Sequence, residues 1–301
     1  MSIKALLCPH CGAPVAPSAL GTITCAYCMH TLTGVPEALW AARLDATDDD
    51  IEGRLCCRLA GVRYAVRGLL ARGERSDVLL AERVRGPTEL VVLKVLRGEA
   101  PAALGAAIRE FKNLTRLAAS ETGGAFFATL VPQPIAVGAL ESRDFPERPA
   151  IATRWRSGFQ HTLVDVRRAY PNGVAGRTVV WMWRRVLDLL TWVHACGLAH
   201  GSVLPEHVLI HPRDHGAILV GWSHAAPGDA RLRALDVAMS ARSFRHAVTA
   251  RSIPGSMHDL LLSTADGKTA ATEARALSAL VLRAATAVYG PPAFHPFIMP
   301  S

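Results

Sequence analysis

A chain of 301 residues, half of them apolar, has material for one large domain with its own core and a small accessory module. That composition excludes global disorder, and no apolar run reaches the roughly 18 residues that a membrane span needs. A net charge of +8 would suit nucleic acid, but the cations are scattered arginines, with lysine only at Lys4, Lys94, Lys112 and Lys268, so a nucleic-acid partner is the less favoured reading.

Met1-Ser2-Ile3-Lys4 leads directly into a cysteine motif, which predicts no N-terminal signal and a soluble, cytoplasmic protein. Cys8 and Cys11 form one C-x2-C pair, and Cys25 and Cys28 form a second. Two residues between cysteines let a tight turn aim both thiolates at one ion, and two such turns complete the tetrahedral sulfur shell that structural zinc prefers. Gly12 follows the first pair, and Thr22-Ile23-Thr24 is a β-prone run suited to a ribbon strand. This segment resembles a zinc ribbon. Two pairs together, with no βαβ pattern around them, argue against a redox motif. A rubredoxin-type iron site uses the same ligands, and spacing alone leaves it open; His10 or His30 could replace a cysteine, though four thiols make that unnecessary. With four protein ligands the ion has no open position and is structural. Residues 36–59 read as a linker, with a short helix over Glu37–Leu44 and a solvated acidic turn at Asp48-Asp49-Asp50.

From Tyr64 the chain alternates apolar and polar residues, predicting antiparallel strands around 64–68, 78–80 and, after the Gly86-Pro87 turn, Leu90–Val95. Between the first two lies the loop Leu70–Val78, with Gly73 at its centre. Lys94 sits inside an apolar strand in a chain nearly devoid of lysine, which suits an ion pair better than a solvated surface cation. A helix is predicted over Pro101–Ala119, with Leu104, Ile108 and Phe111 at helical spacing and Leu114 and Leu117 broadening the stripe. It carries Glu110. Ile151–Trp155 reads as a strand. Arg177–Cys196 reads as a long amphipathic helix with Val179, Trp183, Val186, Leu190 and Val193 on one face, capped by Gly197. His200–Ile210 follows, then a turn at His211–Gly216 whose His211, Asp214 and His215, with His207, invite a metal reading but make a strand connection more simply. Ala217–Ser223 is the next strand and turn. Beyond it, one helix is predicted over Glu273–Tyr289, ending at Gly290-Pro-Pro, with an apolar tail through Phe294 and Met299 that docks on the body or on a partner.

In this order the segments resemble the protein kinase family, over residues 60–290 and most closely up to 223. His200-Gly-Ser-Val-Leu-Pro-Glu-His-Val-Leu-Ile210 keeps the frame of the catalytic loop H-R-D-L-K-P-E-N-x-L-I at His200, Pro205, Glu206, Leu209 and Ile210. Ser202 stands where the family has its catalytic aspartate, and His207 where it has a magnesium-binding asparagine. Gly221 takes the place of the metal-binding aspartate of D-F-G, and Trp222 keeps only that motif's aromatic packing. The Leu70–Val78 loop matches the glycine-rich loop in length but retains only Gly73. Lys94 falls on the lysine of V-A-I-K, and Glu110 on its helix partner.

The resemblance implies an α+β, bilobal kinase-like fold, with a β-rich N-lobe and a mainly helical, shortened C-lobe. The zinc ribbon would occupy residues 1–35, the linker 36–59 and the kinase-like domain 60–301. Gly73, Lys94 and Glu110 are the residues it implies for contact with ATP. It implies no catalytic residue and no held magnesium, since an alcohol of very high pKa cannot accept a substrate proton at neutral pH. The leading expectation is a catalytically inactive zinc-ribbon pseudokinase, similar in layout to zinc-ribbon kinase-like proteins of bacteria, that binds a protein partner as adaptor or regulator. The alternatives are an atypical ATP-dependent transferase working through Lys94 and Glu110, and a nucleic-acid binder through the ribbon.

Overall fold

The computed structural model describes residues 22–24, 31–33, 55–86, 89–98, 100–123, 125–249 and 252–299. Cys8, Cys11, Cys25 and Cys28 lie outside the described residues, as do Glu37–Leu44 and Asp48–Asp50 of the expected linker. Strands β1 (Thr22–Thr24) and β2 (Thr31–Thr33) pair antiparallel, with Ile23 opposite Leu32. The predicted ribbon strand is therefore a strand, and Cys25 and Cys28 fall in the sequence between it and its partner. The chain divides into two compact units, residues 1–112 with 132–157 and residues 113–131 with 158–301.

The first unit is built on six antiparallel strands: β3 (Cys56–Leu59), β4 (Val62–Arg72), β5 (Ser76–Arg83), β6 (Leu90–Leu96), β7 (Pro134–Ser142) and β8 (Arg148–Arg154). Their order, β3-β4-β5-β6-β8-β7, closes into a barrel because β3 pairs with β7 as well as with β4. The last residues of the expected linker thus form a barrel strand. Its turn into β4 is Ala60-Gly61, with φ of 48° and 80°, the double positive φ that a two-residue hairpin of matching twist requires. Alternation along β6 sends Val91, Leu93 and Val95 into a core with Leu59, Tyr64, Ala81, Leu140, Ala150 and Ala152.

Cys57 is in the same core, and burial, reinforced by Cys56 beside it, pushes its thiol up to about 11. The unfolded thiol ionises near 9.0. The stability that this burial carries is therefore complete below that pH and is lost as pH climbs through about 11. Burial also raises the Tyr64 phenol, so the test is a difference. Between pH 8 and 11, urea unfolding of the native chain should lose about 2 kcal/mol more than that of Cys57→Ala. Equal losses would remove the thiol from the account.

The second unit is mainly helical: α3 (Leu163–Ala169), α4 (Gly176–Ala195), α5 (Ala230–Arg245), α6 (Gly255–Ala265) and α7 (Ala274–Tyr289), after α1 (Ala100–Ala118) and a short turn of helix, α2 (Ala125–Ala128). The single apolar face predicted for α4 proved too narrow a description of this helix. Met182, Leu187, Leu189 and Trp192 are buried as well, because α5, α7 and the β9–β10 hairpin (Val208–His211 and Gly216–Leu219) all pack around it. A helix apolar on nearly all sides belongs inside a core. Gly197 ends it as predicted, at φ 76°, with its N–H donating to the His194 carbonyl at 3.0 Å.

Two helices beyond Ser223, α5 and α6, were not foreseen; α7 was, within one residue. The tail also docks on its own chain. Phe297 is buried beside Tyr170 and Trp181, and His215 is stacked between Trp181 and Phe294. At the start of α4 the hydroxyl of Tyr289 covers Gly176, where a Cβ would lie 2.0 Å from it. Gly176→Ala should cost about 2 kcal/mol by overpacking, and much less in a Tyr289→Phe background, as denaturant midpoints of the single and double variants would report.

Candidate functional site

In the first unit the expected nucleotide residues sit on neighbouring elements. β4 and β5 meet in a tight hairpin whose Gly73 N–H donates to the Ser76 carbonyl at 2.8 Å, leaving Glu74 and Arg75 as its two-residue tip. Gly73 does not use left-handed backbone, and a Cβ there would meet the Ser76 carbonyl at 3.3 Å. Below the tip, Asp77 gathers cations: Arg97 bonds to it, and Arg72 and Arg148 approach at 3.5 and 3.8 Å. Arg97 also donates to the Gly73 carbonyl at 3.2 Å.

Lys94 and Glu110 are brought together. Lys94 is on the face of β6 opposite the barrel core, where Leu96 packs with Ala103, Ala107 and Phe111 of α1. Ala103, Ala107 and Glu110 recur at helical spacing on the same buried stripe, so the helix aims the carboxylate at β6. The Lys94 ammonium donates to Glu110 Oε2 at 2.7 Å, with Glu110 almost wholly buried. Breaking such a pair from one side leaves a buried charge without its partner, which is far costlier than losing an exposed ion pair.

In the second unit the loop His200–His207 is held by a carboxylate that the sequence did not single out. Asp236 on α5 is completely buried. It accepts from the backbone N–H groups of His200 and Gly201, each at 2.7 Å, and from His194 Nε2 at 3.0 Å. Ser243, two turns further along α5, donates to the Val203 carbonyl at 2.6 Å. The only sequence signal was an acid between Leu235 and Val237 in an otherwise apolar stretch.

His200 is a packed structural histidine. It is fully buried and edge-on to Trp222 at 4.5 Å. Its Nε2–H donates to the Val220 carbonyl at 3.1 Å, and its Nδ1 accepts from the Ser202 N–H at 3.2 Å. His207 Nδ1 lies 2.8 Å from the Ser202 carbonyl oxygen; a carbonyl only accepts, so this nitrogen carries a proton. The Ser202 hydroxyl, 3.3 Å away, cannot give its proton to the same atom. Neither imidazole is placed to make a nucleophile of Ser202, which is itself buried.

The positions of the two absent metal ligands meet directly. Gly221 has φ 81°, and a Cβ built on it would lie 2.6 Å from three atoms of the His207 ring. The imidazole therefore occupies the volume in which a side chain at 221 would begin. Trp222 is inside the core, its indole N–H donating to the Leu219 carbonyl at 2.8 Å. The turn Pro212–His215 joins β9 to β10, and among the described residues no cluster of His, Cys, Asp or Glu could hold a metal ion. After Trp222 the chain passes through Ser223–Gly228 to Asp229, whose side chain caps α5 by accepting from the Leu232 N–H at 2.7 Å.

No protein-family model matches the sequence, and no curated protein does. Solved structures do match by shape. The crystal structure of the BubR1 kinase domain superposes with a TM-score of 0.57, at 11% identity, over 79% of this chain and 84% of that one. The chain has a protein kinase-like fold. Its kinase-like body places the barrel first and the helices second, as the sequence resemblance implied. Among the described residues no helix is long and apolar enough to cross a membrane.

Proposed function

We propose that this kinase-like chain is a pseudokinase with an N-terminal zinc ribbon, acting through protein binding as an adaptor or regulator rather than through phosphoryl transfer. The observation that carries the reading is the contact of His207 with Gly221. Phosphoryl transfer works by positioning and by neutralising charge with bound metal. Of the two residues expected at the metal positions, one is a glycine with no side chain to offer and the other is an imidazole whose ring lies on it in place of an oxygen ligand. Ser202 adds no proton acceptor. The decisive experiment is transfer of the γ-phosphate of ATP, with magnesium or manganese, to the chain itself and to a generic protein substrate. Transfer at the level of a Lys94→Ala control is expected; transfer clearly above it would overturn the reading.

A second reading, retained nucleotide binding with or without transfer, is favoured by the Lys94–Glu110 pair. ATP that binds only the native state must raise the melting temperature. A rise that Lys94→Ala abolishes would support nucleotide contact at Gly73, Lys94 and Glu110, whereas a flat response in both proteins would sink it. No feature of the described residues favours the nucleic-acid alternative.

Structural zinc rests on the donor set, Cys8, Cys11, Cys25 and Cys28, and on the β1–β2 pairing that flanks the second C-x2-C. One zinc per chain is expected by atomic absorption, falling to background when Cys11 and Cys28 are both changed to serine. Iron in its place, or metal content unchanged in that variant, would refute the assignment.

A further inference from the structure

Beneath the C-terminal tail, the first turns of α4 and the end of α7 enclose a pocket of about 110 Å³. Its wall includes Arg177, Trp181 and Arg184 from α4, Tyr289 from α7 and His295 from the tail, and no carboxylate is among the lining residues. Two of these residues carry buried N–H groups with no acceptor, Trp181 Nε1 and Arg184 Nε. Buried donors are nearly always paired, so two unpaired N–H groups on side chains that line one pocket call for an acceptor that the chain does not provide. Asp188 is one helical turn beyond Arg184, but its carboxylate accepts from Ser278 at 2.9 Å instead. Arg177 supplies further positive charge. It reaches His295 Nε2 at 2.8 Å and the Tyr289 carbonyl at 3.3 Å, with its guanidinium over the Tyr289 ring.

We propose that this pocket binds a compact oxyanion, a phosphate or carboxylate group, with the Arg184 guanidinium and the Trp181 indole N–H as its donors and Arg177 as the second charge. An arginine fork and an indole N–H offer only donors, so the ligand must be acceptor-only. The small volume limits it to a free ion or a single charged head group. The site uses none of the residues of the kinase-like loop, so it stands or falls independently of the pseudokinase reading.

The test uses the full chain labelled with ¹⁵N, titrated with inorganic phosphate or with acetate at constant ionic strength against sodium chloride. The indole N–H resonance missing in Trp181→Phe identifies Trp181. That signal should move saturably, and the midpoint should rise at least tenfold in Arg184→Met. Arg184→Lys keeps the charge but loses the fork; it should bind several-fold more weakly, which provides the test if the methionine variant does not fold. Tighter binding of phosphate would indicate a tetrahedral ligand, and of acetate a planar one; either supports the site. A linear drift matched by chloride, or an unchanged midpoint in the arginine variants, would mean that the pocket holds water alone and would overturn the proposal.

Discussion

Asp236→Ala is expected to destabilise the second unit by about 4 kcal/mol, enough to leave much of it unfolded at moderate temperature. The carboxylate collects three donors inside the core, the N–H groups of His200 and Gly201 and the imidazole of His194. Truncation would orphan all three without admitting water. Asp236→Asn keeps one acceptor oxygen and should cost less. Because the contacts converge on the start of the His200 loop, the damage should appear there first, as faster amide exchange at His200–Val203. Denaturant midpoints for Asp236→Ala equal to the native chain would show that the loop is held by other means.

Gly221→Asp, which restores the family's residue at that position, is expected to cost about 3 kcal/mol. Two effects add: the side chain would enter the volume of the His207 ring, and a non-glycine residue would be forced to φ 81°. Only the first depends on the ring. His207→Ala should therefore recover at least half of the loss, and the double-mutant cycle should show coupling of 1 kcal/mol or more. Additive effects would mean that the ring moves aside freely and does not exclude a side chain at 221.

Much of this was legible in the sequence where a regular period or a fixed motif carried the information. Lys94 interrupts an apolar strand and Glu110 lies on a helical stripe, and the resemblance to protein kinases is what names the one as partner of the other. Gly197 and Glu273–Tyr289 were readable as helix ends for the same reason. Asp236 was not, because two of its three donors are backbone N–H groups more than thirty positions earlier, and backbone donors leave no trace in residue identity. Strand β3 was missed because Cys56-Cys-Arg-Leu59 is too short and too mixed to show a period; only its pairing with both β4 and β7 reveals it. α5 was hidden by its composition, since its buried face mixes Asp236, Ser240 and Ser243 with Val237, Ala241 and Phe244 and so shows no clean apolar stripe. The contact of His207 with Gly221 joins two positions that each look like an independent loss.

The closure of the first unit's sheet restricts how a protein partner could be recognised there. An open sheet presents unpaired N–H and C=O groups along its outermost strand, and peptides commonly bind by adding a strand to them. Along Cys56–Leu59, where β3 is hydrogen-bonded on both sides, that backbone template is gone. Recognition at the closed seam must then rely on side chains, as it can also do at the exposed Leu69 and Leu70 of β4 and the arginines around Asp77. Specificity would be altered by point substitutions at those positions, and hardly at all by changes that affect only backbone hydrogen bonding.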